Sequence, residues 1–103
     1  MDYLFASDTD ILQELGQRLK VARIQAGFTQ EELAKHSGVS RPTVARLEGG
    51  KNISLLNFIT LLRYVDELTK FSQVLKRDLR LDPKLIYEME QKQPQRVKHG
   101  AKG

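Results

Sequence analysis

Residues 30–48 read QEELAKHSGVSRPTVARLE, and this stretch decides the fold. Thr29, directly before it, and Glu32 have the spacing of a capping box, in which a hydroxyl and a carboxylate each accept a backbone N–H at a helix start. Gly38 suits a tight turn because glycine adopts a positive φ without strain. Ser40 then has the character of a second N-cap. The stretch therefore predicts two short helices joined by a turn of three or four residues.

The second of these helices is predicted to run to about Glu48 and to have two unlike sides. The residues expected to face the core from the pair are Leu33, Ala34, Val39, Val44 and Leu47. The residues left on the outer, N-terminal side are Ser40, Arg41, Pro42, Thr43 and Arg46. Pro42 fits a first turn because the N–H that proline lacks would have no helical partner there. A short helix exposed in this way can enter the major groove of DNA, while the preceding helix lies across the backbone.

Helical periodicity continues on both sides of this pair. Before it, Asp8 and Asp10 are candidate N-caps of a first helix that Gly27 ends. The apolar stripe of that helix is Leu12, Leu15, Leu19 and Ala22, joined by Ile11 and Ile24. After the pair, Ser54 is predicted to cap a fourth helix, and Asp66 lies near the start of a fifth. Their apolar stripes are Leu55, Phe58, Ile59 and Leu62, then Leu68, Phe71, Val74 and Leu75.

The pattern weakens towards the C-terminus. Residues 77–81 alternate leucine with charge, as in a short strand or an extended linker, and Asp82-Pro83 is a helix-start signal for one or two turns up to residue 92. From residue 93 the chain is polar and basic and is expected to be mobile. We therefore predict an all-α fold. It is a five-helix bundle with a helix-turn-helix (residues 8–76), followed by a short C-terminal extension that is partly extended or disordered (77–103).

Positive charge is concentrated in two parts of the chain. Residues 16–51 hold seven Lys or Arg against three Glu, and residues 92–103 hold four Lys or Arg and no acid. Such concentrations attract polyanions, nucleic acid above all.

The sequence lacks the residues that several other classes of function require. The absence of cysteine excludes disulfides and thiol chemistry. No apolar run approaches the roughly 20 residues of a membrane span. Gly49-Gly50-Lys51 lacks the spacing of a phosphate-binding loop. We expect no enzyme, no cofactor, no metal, no membrane contact and no pocket in so small a bundle, and the cytoplasm is the simplest location.

Residues 15–62 resemble the phage-repressor and Cro-type helix-turn-helix family, also called the Xre family. The matching residues are Leu19, Arg23, Gly27, Thr29-Gln30, Leu33-Ala34, Gly38-Val39-Ser40, Val44 and Leu47-Glu48-Gly-Gly-Lys51. The resemblance implies a repressor-like bundle that binds DNA. More loosely, the small size, the motif near the N-terminus and the segment after Leu75 resemble HipB-type antitoxins, which partner a HipA-type kinase.

The family resemblance implies a role for each matching position on DNA. Gln30 is similar to the family's phosphate-clamping glutamine. Arg41 and Pro42 occupy the positions that address base edges, where an arginine prefers guanine O6 and N7. Thr43 lies where a hydroxyl meets a phosphate or a base, and Arg46 points into the same groove.

Four further positions complete what the resemblance implies. Lys51 and Asn52 fall where the family holds the sugar-phosphate chain. Arg23 and Glu48 occupy the positions of a partly buried ion pair that ties the first helix to the third, a structural role and not a DNA contact.

The sequence favours a homodimeric repressor that binds double-stranded DNA at a palindrome, with half-sites about 34–36 Å apart. Tyr64, Val65 and Phe71 are candidates for the dimer interface. The alternatives are an antitoxin that binds a toxin and represses its own operon, and a phage or restriction-modification controller. The basic tail is a solvated terminus, a phosphate-tracking arm or a docking segment for a partner.

Overall fold

The computed structural model describes residues 1–77 and 83–91. Within these residues the chain forms six helices and no strand: α1 Asp8–Gln25, α2 Gln30–Ser37, α3 Arg41–Glu48, α4 Leu55–Tyr64, α5 Leu68–Phe71 and α6 Pro83–Gln91. The predicted all-α fold is confirmed. No helix of this part of the chain combines the length and the apolar character needed to cross a bilayer.

The capping residues around α2 and α3 are those that the sequence predicts. The Thr29 hydroxyl accepts the N–H of Glu32 at 3.0 Å, and the Glu32 carboxylate accepts the N–H of Thr29 at 2.8 Å. Gly38 ends α2 with φ +80°, and the Ser40 hydroxyl accepts the N–H of Thr43 at 3.2 Å. These local bonds fix where each short helix begins and ends.

The start of α1 differs from the prediction. Its N-cap is Ser7, whose hydroxyl accepts the N–H of Asp10 at 3.0 Å, while the Asp10 carboxylate accepts the N–H of Ser7 at 3.4 Å. Asp8 lies inside the first turn, where a negative charge favours the helix dipole. The assignment of Asp8 or Asp10 as the cap was wrong because Asp10 closes a capping box from the third helical position.

The core lies where four helices meet. α1 packs against α3, and α2 packs against both α3 and α4. The buried apolar side chains are Leu19, Leu33, Val39, Val44, Leu47, Leu61 and Val65. All the apolar residues predicted to face inward from α2, the turn and α3 belong to this core or pack against it.

The stripes predicted for α1 and α4 are partly wrong. Ile24 is 57% exposed, and Leu55 is 63% exposed, whereas Leu61 is fully buried. Six of the ten residues of α4 are Leu, Ile or Phe, so its periodicity fits more than one face. Val65 is only 3% exposed and packs in the core, so of the three predicted interface residues it offers the least surface to a second copy.

The fifth helix is shorter than predicted. α5 ends at Phe71, whose ring meets Phe58 of α4 edge to face at 5.9 Å between centroids. Val74 and Leu75 follow it in turns and are 55% and 80% exposed. Leu75 has φ +62°, a backbone conformation that ends helical continuation. Most of the predicted strand or linker (77–81) and the basic tail lie outside the described residues, whereas the predicted last helix is present as α6.

A glycine that the sequence reading did not single out sets the distance between α1 and α3. Gly16 is buried, and a Cβ built on it would overlap the carbonyl oxygen of Leu47 and lie 3.3 Å from the carbonyl carbon of Glu48. The end of α3 therefore lies directly on the backbone of α1.

Gly16→Ala is expected to destabilise the protein by about 2–3 kcal/mol, because the added methyl must push the backbone of α3 away. Helix propensity alone predicts the opposite sign, about 1 kcal/mol of stabilisation. Urea unfolding followed by circular dichroism measures the difference. Lys20→Ala, an exposed change on the same helix, is the control and should shift stability by less than about 0.5 kcal/mol. A Gly16→Ala variant as stable as the parent would contradict the close approach.

Candidate nucleic-acid interface

The outward side of α3 begins at the N-cap Ser40, and the packing of the inward side fixes the orientation of the helix. Val44 and Leu47 are 0% and 2% exposed, so the helix cannot rotate about its axis. Arg41 and Pro42 are exposed in its first turn. The hydroxyls of Ser40 and Thr43 share a hydrogen bond of 2.8 Å, which keeps both near the N-terminal end. This end presents a guanidinium and two hydroxyls to an approaching ligand.

The first residue of α2 is tied to the last residue of α3. The side-chain amide nitrogen of Gln30 donates to Oε1 of Glu48 at 3.0 Å. An amide NH₂ group has two N–H donors, so this bond uses one and directs the other. Sequence spacing gave no signal for this contact, since the two residues are eighteen apart and lie on different helices.

Glu48 also forms the ion pair expected with Arg23. Arg23 Nε donates to Glu48 Oε2 at 2.6 Å, and a second guanidinium nitrogen donates to Oε1 at 3.0 Å. The third guanidinium nitrogen donates to the carbonyl of Phe28 at 2.8 Å. Arg23 and Glu48 are only 8% and 7% exposed. The hydrogen bond to Glu48 raises the pKa of Arg23, against the opposing effect of burial.

The loop after α3 is held from α3 itself. Arg46 donates from Nη2 to the carbonyl of Asn52 at 3.1 Å, and the carbonyl of Arg46 accepts the N–H of Lys51 at 2.8 Å. Gly50 has φ +81°, and a Cβ there would lie 2.7 Å from the side chain of Gln13. Lys51 and Asn52 are exposed on this fixed loop. Arg46 therefore supports the loop as well as facing solvent, which the sequence did not predict.

Gln30 and Arg41 lie on the same surface of the protein. Both line a depression of about 700 Å³ at the start of α2, together with Thr29 and Glu31. The structure thus brings the predicted phosphate clamp and the predicted base-reading arginine onto one side of the molecule. Their roles on DNA stay predictions at this point.

A comparison with protein families agrees with this geometry. The model of a family described as "Helix-turn-helix domain" matches residues 14–79, well over half of the chain. The chain belongs to this helix-turn-helix family. Its members are Xre/Cro-like domains, as the motif residues of the sequence predict. Among curated proteins, none matches the chain.

The helix-turn-helix assignment identifies the parts of the surface described above. α2 and α3 are the two helices of the motif, and α3 is its second, recognition helix. The family assignment supports a DNA-binding protein that acts as a regulator. The match runs from within α1 to beyond α5, so α6 lies outside it.

Glu48→Gln is expected to destabilise the protein by about 3 kcal/mol, because the buried guanidinium of Arg23 loses its counter-charge. Chemical unfolding measures the change. The matched control is Glu14→Gln, which removes the charge from the exposed α1 pair Glu14–Arg18 and should cost less than about 0.5 kcal/mol.

The double variant Arg23→Met/Glu48→Leu removes both charges and should recover most of the loss. If Glu48→Gln and Glu14→Gln lower the free energy of unfolding equally, burial of the Arg23–Glu48 pair does not affect stability.

Proposed function

We propose that this protein is a sequence-specific transcriptional regulator, a homodimeric repressor that reads a palindromic operator with α3 in the major groove. The observation that carries the proposal is the division of α3 into two sides. Its inward residues are fully packed, and Arg41 and Pro42 stand exposed at its N-terminal end. This is the part of a recognition helix that meets base edges. The proposal is for a binding function in the cytoplasm, without catalysis.

The proposed roles divide into base reading and phosphate positioning. Arg41 reads guanine, and Pro42 offers an apolar surface to the neighbouring base. Gln30 donates its second amide N–H to a phosphate, in a direction set by Glu48. Ser40, Thr43, Lys51 and Asn52 contact the backbone around the groove. Arg46 acts chiefly by holding the loop that carries Lys51 and Asn52.

A homodimer supplies the selectivity that one helix lacks. A single α3 offers too few base contacts for genomic discrimination, and two helices related by a two-fold axis double them. Of the predicted interface residues, Tyr64 is 42% exposed and Phe71 is half-buried, so both remain available to a second copy.

A second candidate function adds a protein partner to the same DNA-binding surface. Leu4 and Phe5 are 82% and 84% exposed, an apolar pair that a partner protein could cover. In this second proposal the protein is an antitoxin that restrains a toxin, such as a HipA-like kinase, and represses its own operon. A kinase-like reading frame beside the gene, with a product that co-purifies with the intact chain, would distinguish it from a stand-alone repressor.

The deciding experiment is selection of bound sites from random DNA at two salt concentrations. We expect a palindrome with guanine in each half-site. Arg41→Ala should lower affinity for the preferred site and flatten the preference at that base by about 1–3 kcal/mol. Arg63→Ala, an exposed arginine at the end of α4, is the control and should leave the selected sequence unchanged. Equal loss on all sequences would make Arg41 a phosphate contact. A parent protein that prefers no selected site over bulk DNA would overturn the whole proposal.

Arg46→Ala is expected to weaken binding about tenfold on every sequence, roughly the 1.4 kcal/mol of one hydrogen bond, and to leave the selected site the same. The reason is that the loop of Lys51 and Asn52 loses its support from α3. Fluorescence anisotropy on the preferred site and on a scrambled site measures both affinities. A changed base preference would instead assign Arg46 to direct readout.

A further inference from the structure

The face of the bundle formed by α1, α4 and α5 contains an apolar groove. It has a volume of about 690 Å³, and its lining includes Leu15, Ala22, Phe58, Leu62, Phe71 and Val74. The expectation that so small a bundle has no pocket was therefore wrong. The groove runs along α1 from Glu14 to Gln25, beside the point where α5 ends at Phe71.

The rim of the groove is charged but locally neutral. Arg18 pairs with Glu14 at 3.1 Å on one side, and Lys70 pairs with Glu67 at 2.8 Å on the other. Each cation already has its anion, so the rim offers no net charge for an ionic ligand. A neutral rim around an apolar floor suits the apolar face of an amphipathic helix.

The same chain carries such a helix. α6 has nine residues, and none of them is buried. Ile86 and Met89, one helical turn apart, are 43% and 45% exposed. A helix of nine residues is marginal in water without a packing partner. An apolar surface against Ile86 and Met89 would stabilise α6, and no helix of residues 1–77 or 83–91 lies in the groove.

We propose that α6 of one copy lies in the groove of a second copy, and that two copies exchange this helix reciprocally. The proposal rests on the homodimer proposed above and gives it an interface. None of the described residues of α6 lines the groove of its own chain, and Ile86 and Met89 keep 43% and 45% of their surface exposed. Eight residues separate Val74, in the groove wall, from Pro83, and when fully extended they span at most about 29 Å.

Reciprocal exchange also predicts an assembly that closes at two copies. Each chain gives one helix and receives one, so a two-fold arrangement covers both grooves and both α6 faces at once. Exchange in one direction only would leave one groove and one helix uncovered in every pair.

The first test places one negative charge on each surface, with the neighbouring residue as its control. Ile86→Glu and Val74→Glu put a carboxylate into the interface. The controls are Tyr87→Glu, 62% exposed on α6, and Leu75→Glu, 80% exposed and outside the groove lining. All four are made in the full chain, and solution mass is measured by sedimentation. We expect both test variants to raise the dimer dissociation constant at least tenfold and both controls to remain dimeric.

The second test distinguishes exchange of α6 between two copies from binding of α6 in the groove of its own chain. The chain has no cysteine, so Val74→Cys and Ile86→Cys chains can be mixed and oxidised with only one mixed disulfide possible. Exchange predicts a covalent dimer of the two variants, in higher yield than a mixture of Leu75→Cys and Tyr87→Cys. A double variant Val74→Cys/Ile86→Cys that forms the bond within one chain, with no bond in the mixture, would overturn the proposal.

The outcomes also separate this inference from the proposed function. If Ile86→Glu and Val74→Glu stay dimeric and the parent still selects a palindrome, the exchange is wrong and the regulator stands. If the parent selects no site but the two charge variants become monomeric with unchanged circular dichroism, the exchange stands and the regulator is wrong.

Discussion

The buried pair of Arg23 and Glu48 is the interaction on which the helix-turn-helix surface depends. Charges are costly to bury, and they stay buried only when every donor and acceptor finds a partner. Here the carboxylate accepts from Arg23 and Gln30, and the guanidinium also reaches the carbonyl of Phe28. One carboxylate therefore joins α1, the start of α2 and the end of α3. Through these hydrogen bonds it fixes the relative placement of the three helices.

That placement matters because α2 and α3 have only eight residues each. Helices of this length do not persist alone in water, so their geometry is set by caps at one end and by the core along one side. The exposed side chains of α3 are therefore positioned by its buried ones. Arg41 is exposed in the first turn of α3, a helix whose orientation is set by the buried Val44 and Leu47.

The sequence predicted what local chemistry encodes and missed what depends on distant neighbours. Thr29, Gly38 and Ser40 act on their own turns, so their roles were readable from spacing. Leu61 was missed because α4 is apolar on most sides, and only the position of α2 decides which side is buried. The bond from Gln30 to Glu48 and the contact of Gly16 with α3 join residues far apart in the chain, and no periodicity marks such pairs. The roles on DNA rest on the family resemblance, because no spacing of residue types marks the side of a helix that contacts DNA.

The same reasoning links the recognition helix to the groove. One side of α1 meets α3 through Gly16 and Arg23, and another side lines the groove through Leu15 and Ala22. α1 is a continuous helix of eighteen residues without an internal break, so it joins the two surfaces as one rigid body. If a second copy binds at the groove, the distance between the two recognition helices is set through α1 and not through a flexible linker. The spacing of operator half-sites would then depend on how the second copy binds in the groove. The choice of DNA site would therefore depend partly on a surface that does not contact DNA.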